Sequence, residues 1–148
     1  MKRITLLAFL AVLAVTLHAK TGLNIDKIFE GGYEKDPKVE LMIMSGDLPN
    51  KGVTLMQLFK GPADKYASKI TPLLKLDGEQ ATGKKVTYEN GKLHYAFYTL
   101  PPKVVKGRRI NRYICYLDGP KNALSSVMLL YMEGYISAQA ANRLFKSM

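Results

Sequence analysis

The chain has 148 residues and is strongly basic, with 22 Lys+Arg against 12 Asp+Glu and a net charge of +10. Its one cysteine, Cys115, excludes an intramolecular disulfide. With only His18 and His94 as histidines, clustered Cys/His zinc sites are excluded too. The size suits one domain with a hydrophobic core of its own, and the charge favours anionic partners.

Residues 1–19 read as a signal peptide. Lys2 and Arg3 precede an apolar run from Ile4 to Leu17, and Ala19 closes it before the polar turn Lys20-Thr21-Gly22. The run is shorter than the about 20 residues that span a bilayer. Leu17 stands where a small residue is usual, which leaves the cut site open, and no Cys follows to take a lipid. The expectation is an exported protein, periplasmic or secreted, with residues 20–148 as a single domain and no transmembrane segment after processing. Nucleic acid is then excluded as an ordinary partner.

Leu23 to Phe29 predicts a short helix capped by Asn24 and stopped by Gly31-Gly32. Val39–Ser45 and Val53–Lys60 predict two antiparallel strands. Gly61-Pro62 opens a helix whose apolar face is Ala63, Tyr66, Ala67, Ile70 and Leu74. Pro72 predicts a kink or restart there, with Thr71 as a cap, and a weak helical pattern towards Ala81. Lys85–Glu89 and Lys92–Leu100 flank Asn90-Gly91, the strongest hairpin signal in the chain, and Pro101-Pro102 ends the second arm. Arg109–Asp118 and Ser126–Glu133 predict two further strands. Both are apolar on two faces and therefore central. Ser137 caps a last helix from Ala138 to Lys146, with Ile136 and Ala141 placed as a hydrophobic staple. The expected fold is α+β: a mostly antiparallel sheet of about six strands, with two or three helices packed on one side of it.

Catalytic signatures are sparse. Gly78-Glu79-Gln80-Ala81-Thr82-Gly83-Lys84-Lys85 approaches a P-loop, but Lys85 replaces the Ser or Thr that binds magnesium, and the segment runs from helix to strand. Cys115 and His94 allow a thiol dyad in principle, with Arg108, Arg109 and Arg112 supplying an electropositive setting. The apolar flanks of Cys115 instead predict a buried, inert thiol, and intermolecular pairing is the other alternative. The acids Asp47, Asp64, Asp77, Glu79, Glu89, Asp118 and Glu133 are scattered. Asp36, Asp47, Asp77 and Asp118 sit beside Gly or Pro and suit turns. No cofactor is implied.

One cluster points to binding. Lys103, Lys106, Arg108, Arg109 and Arg112 lie together without an acid, and Tyr113 follows them, with Tyr95, Tyr98 and Tyr116 in the surrounding strands. Arginine forks beside aromatic faces bind carboxylates, phosphates and sugars. The candidate partners are an anionic glycan, a lipid head group or an acidic protein. A solvated basic loop with ordinary strand tyrosines accounts for the same residues. The function read here is a non-catalytic binding module; the alternative is a hydrolytic or thiol enzyme using Cys115 and His94 or the scattered carboxylates.

The phrases Val53-Thr-Leu-Met-Gln-Leu-Phe59, Gly91-Lys-Leu-His-Tyr-Ala-Phe-Tyr-Thr-Leu100, Asn111-Arg-Tyr-Ile-Cys-Tyr116 and Leu130-Tyr-Met-Glu-Gly134 resemble a family of small exported bacterial domains of unknown function, mostly from Gram-negative gut anaerobes. The resemblance implies an exported single domain and brings no activity, cofactor or catalytic residue.

Overall fold

The computed structural model describes residues 21–48, 52–119 and 125–148. The signal-like segment to Ala19 and residues 49–51 and 120–124 lie outside the described residues. The elements follow the expected order: α1 (Asp26–Phe29), β1 (Glu40–Leu48), β2 (Val53–Pro62), α2 (Ala63–Gly78), β3 (Gly83–Glu89), β4 (Lys92–Val105), β5 (Arg108–Asp118), β6 (Ser126–Gly134) and α3 (Ala138–Lys146). The six strands form one sheet in the order β1-β2-β6-β5-β4-β3, and every neighbouring pair is antiparallel. The fold is α+β, as the sequence predicts.

The sheet has helices on both faces, not one. On the first face α1 and α2 cover Leu55, Phe59, Tyr98, Leu100, Ile114, Tyr116, Leu129 and Tyr131. On the second, α3 covers Val53, Met56, Phe97, Tyr113, Cys115, Leu130 and Met132. The cause lies in β5 and β6. They are the two middle strands and carry apolar side chains on both faces, so each face must be kept from water. α3 is short and does not reach β1, where Met42 and Met44 remain 51% and 39% exposed.

Several local expectations need correction. α2 runs unbroken through Pro72, and Thr71 does not cap a new helix; its hydroxyl donates to the Ala67 carbonyl. The carbonyl that Pro72 leaves without a helical donor is that of Ser68, an exposed residue on the water side. Asn24 does not cap α1. Its backbone N–H and its side-chain amide both donate to Asp77 Oδ1, at 2.7 and 2.9 Å, while Ile25 N–H donates to Asp77 Oδ2 at 2.9 Å. Asp77 is therefore no turn residue. It is fully buried and fastens the start of the domain to the end of α2. Pro101 and Pro102 do not end β4. β3 pairs with β4 only as far as Thr99, so beyond it no strand on that side asks the prolines for a donor. A register shift against β5 between Leu100 and Lys103 absorbs them.

Other local readings hold. Asn90 and Gly91 form the β3–β4 turn, both with positive φ, at 52° and 78°. Ser137 caps α3 by accepting from Ala140 N–H, and Ile136 and Ala141 are both buried beneath it.

Candidate functional site

β4 and β5 outrun the sheet. β5 pairs with β6 only from Asn111, opposite Gly134, onward. Beyond that point Lys103↔Ile110, Val104↔Arg109 and Val105↔Arg108 pair with each other alone. Lys106 and Gly107, with φ of 52° and 76°, close the turn. Their φ values nearly repeat those of Asn90-Gly91, so this too is a two-residue hairpin turn with positive φ at both positions. The result is a two-stranded finger in which every residue from Pro102 to Arg109 is exposed.

The basic residues of the segment divide into two groups. Lys103 and Arg112 belong to a network at the base of the finger. Lys103 Nζ lies 2.8 Å from Glu133 Oε1, and the Tyr131 hydroxyl donates to Glu133 Oε2 at 2.6 Å. Arg112 Nε donates to the Tyr131 oxygen at 2.9 Å, and its Nη2 donates to the Thr21 carbonyl at 3.2 Å. Tyr131 and Glu133 are buried, and burial pushes the Tyr131 phenol far up, so it stays neutral. The network satisfies a carboxylate that would otherwise be costly inside the protein. Tyr113, the aromatic residue of the predicted cluster, is also turned inward. It is 2% exposed, and its hydroxyl donates to the Ile136 carbonyl.

Lys106, Arg108 and Arg109 form the second group. They sit at the tip, exposed, and none of the three forms an ion pair among the described residues. The Arg108 guanidinium lies 5.1 Å from the ring centre of Tyr135, itself 48% exposed. Register places Val104 beside Arg109 on one face of the finger and Val105 beside Arg108 on the other. Val104 and Val105 are 72% and 43% exposed. The sequence identifies the cations of this segment. It does not identify Val104, Val105 and Tyr135 as their neighbours, nor Glu133 as the acid that engages Lys103.

The thiol and histidine do not assemble into a dyad. Cys115 is fully buried opposite Phe97, and burial pushes its thiol well above the usual range. That burial also keeps it from pairing with a second chain. His94 faces Glu89, with Nδ1 to Oε2 at 3.6 Å. It borders an open groove of about 440 Å³ with Tyr95, Leu117, Met128 and Phe145, a mostly apolar lining without a carboxylate side chain. Asp36 accepts hydrogen bonds from Tyr66 OH and Lys65 Nζ, which lower its carboxyl to about 2. These are structural contacts between the Asp36 loop and α2. The near-P-loop segment spans the end of α2 and the start of β3, the reverse of the strand-to-helix order that holds phosphate. Among the described residues no group of three or more His, Cys, Asp or Glu could hold a metal ion, and no helix is long and apolar enough to cross a membrane.

The fold and this surface define a small antiparallel α+β domain with a projecting cationic hairpin. The chain belongs to the family of unknown function DUF6108, whose sequence model matches residues 12–145. No curated protein and no solved structure matches it.

Proposed function

We propose that this protein is an exported, non-catalytic binding module that engages an anionic partner through the tip of the β4–β5 finger. The observation that carries the reading is the separation of charges along the finger. Lys103 and Arg112 are occupied by Glu133 and Tyr131, whereas Lys106, Arg108 and Arg109 are exposed and form no ion pair among the described residues. Unpaired cations on a narrow projection keep their full attraction for an anionic surface, and Arg108 and Arg109 can fork to phosphate, sulfate or carboxylate. The proposed export rests on the charged start, the apolar run and Ala19. It is consistent with a packed domain whose contacts reach Thr21, where N–H and Oγ1 both donate to Asp26. Intact mass of the protein recovered outside the cytoplasm should begin near Lys20.

Binding to dextran sulfate across a salt series tests the finger. Binding should be measurable at low salt and weaken steeply beyond physiological ionic strength, where the Debye length is about 8 Å. The double reversal Lys106→Glu, Arg108→Glu should weaken it roughly 30-fold or more at low salt, since each basic residue near an anionic surface contributes about 1 kcal/mol. Binding untouched by the reversal removes the finger from the functional account.

A further inference from the structure

We infer that the anionic partner is a phospholipid bilayer surface, and that Val104 and Val105 enter the interface while Lys106, Arg108 and Arg109 hold the head-group phosphates. This rests on the finger being the binding surface and goes beyond it in naming the partner and an apolar contact.

Charge alone does not explain the tip. A finger evolved only to meet a soluble polyanion gains nothing from exposing branched apolar side chains, yet Val104 is among the most exposed apolar residues of the described chain, at 72%. Val105 is the next residue of the same strand, 43% exposed on the other face of the finger, and each valine sits opposite an arginine in the strand register. Exposed valines standing level with arginines beside the turn suit a bilayer interface, where hydrocarbon and phosphate adjoin. Tyr135, half exposed beneath Arg108, adds an aromatic ring whose amphipathic character suits the head-group level. Lys106 occupies the turn itself, and its long stem lets the ammonium reach back to the phosphates while the backbone goes deeper.

Size separates a bilayer from an acidic protein. A stable protein partner takes roughly 20–30 residues a side, far more than the finger Lys103–Arg109 offers. A bilayer surface requires only a few inserted side chains backed by charge, because electrostatic attraction adds to the small buried area. The finger can make that contact without rearrangement of the domain, since Val104, Val105, Arg108 and Arg109 pair only across β4 and β5 and join no third strand.

The test uses cosedimentation of the purified protein with phosphatidylcholine vesicles, with and without phosphatidylglycerol, alongside dextran sulfate binding. The variants are Val104→Thr with Val105→Thr, which keep β-branching and charge, and Lys106→Glu with Arg108→Glu. Thermal unfolding of each variant confirms that the domain is intact. The expected result is binding to the phosphatidylglycerol vesicles and little to phosphatidylcholine alone. The valine pair should lower vesicle binding about tenfold, the order expected for losing apolar contact at two partly inserted side chains, and leave dextran sulfate binding unchanged. Dextran sulfate binding without vesicle binding overturns this inference and leaves the polyanion reading standing. Vesicle binding that falls on charge reversal but not in the valine pair overturns insertion. Absence of binding to either probe overturns both.

Discussion

Glu133 is the residue on which the base of the finger turns, and Glu133→Gln isolates its charge at constant size. Its side chain is 7% exposed and receives Lys103 at 2.8 Å and the Tyr131 hydroxyl at 2.6 Å. Glutamine keeps one acceptor oxygen but presents two amide donors, so one of these contacts becomes donor against donor. The Lys103 side chain is 43% exposed and its ammonium can turn to water, which limits that part of the loss to about 0.5–1 kcal/mol. The inner half matters more. Tyr131 and the part-buried Arg112 lose the anion that closes their chain, a defect of about 1.5–3 kcal/mol. Together the substitution should cost about 2–4 kcal/mol. With a urea dependence of roughly 2 kcal/mol per molar for a domain of this size, the midpoint of unfolding should fall by about 1–2 M. Lys103→Met should cost less than Arg112→Met by the same reasoning. A Glu133→Gln midpoint within a few tenths of a molar of the parent would show that the buried network contributes little, and would refute the argument. Because Lys103 is released and an acid is lost, dextran sulfate binding should hold or strengthen in this variant.

Further outcomes follow from particular sites. Gly91→Val places a branched side chain at φ 78° and should destabilise by about 1–2 kcal/mol in the same urea titration. Cys115, fully buried with its thiol pushed up by burial, should react with a thiol reagent only at the rate of local or global opening; rapid labelling of native protein at neutral pH would contradict its packing. Asp36 is held down from 3.8 to about 2 by hydrogen bonds from Tyr66 and Lys65. A depressed folded-state carboxyl stabilises above its ordinary value and loses that contribution as pH falls towards about 2. Stability measured from pH 4 to 2 should therefore fall less steeply in Asp36→Asn than in the parent.

The sequence makes the sheet legible where local chemistry is strong. Asn90-Gly91 names its own turn, and the double-faced apolar runs of β5 and β6 place those strands at the centre. Lys106-Gly107 adopts nearly the same φ values as Asn90-Gly91 without the same signal, because lysine seldom takes positive φ. Pro101-Pro102 then disguises the hairpin by resembling a stop. Both prolines are tolerated only because β3 ends at Thr99's level, a fact of tertiary pairing. The same holds for the site. Basic residues 103–112 stand out in the chain. Their partition into two working groups depends on the Arg112↔Glu133 register, set across a connection whose length hides it. Asn24 and Asp77, separated by the whole first half of the fold, are likewise joined by packing and not by spacing.

Residue-resolved NMR during titration with dextran sulfate tests the central claim most directly. The account predicts that backbone signals of Val105, Lys106, Gly107, Arg108 and Arg109 shift first and together, with Tyr135 following, and that these shifts reverse on adding salt. Shifts centred on the groove beside His94 and Phe145, with the finger silent, would contradict it.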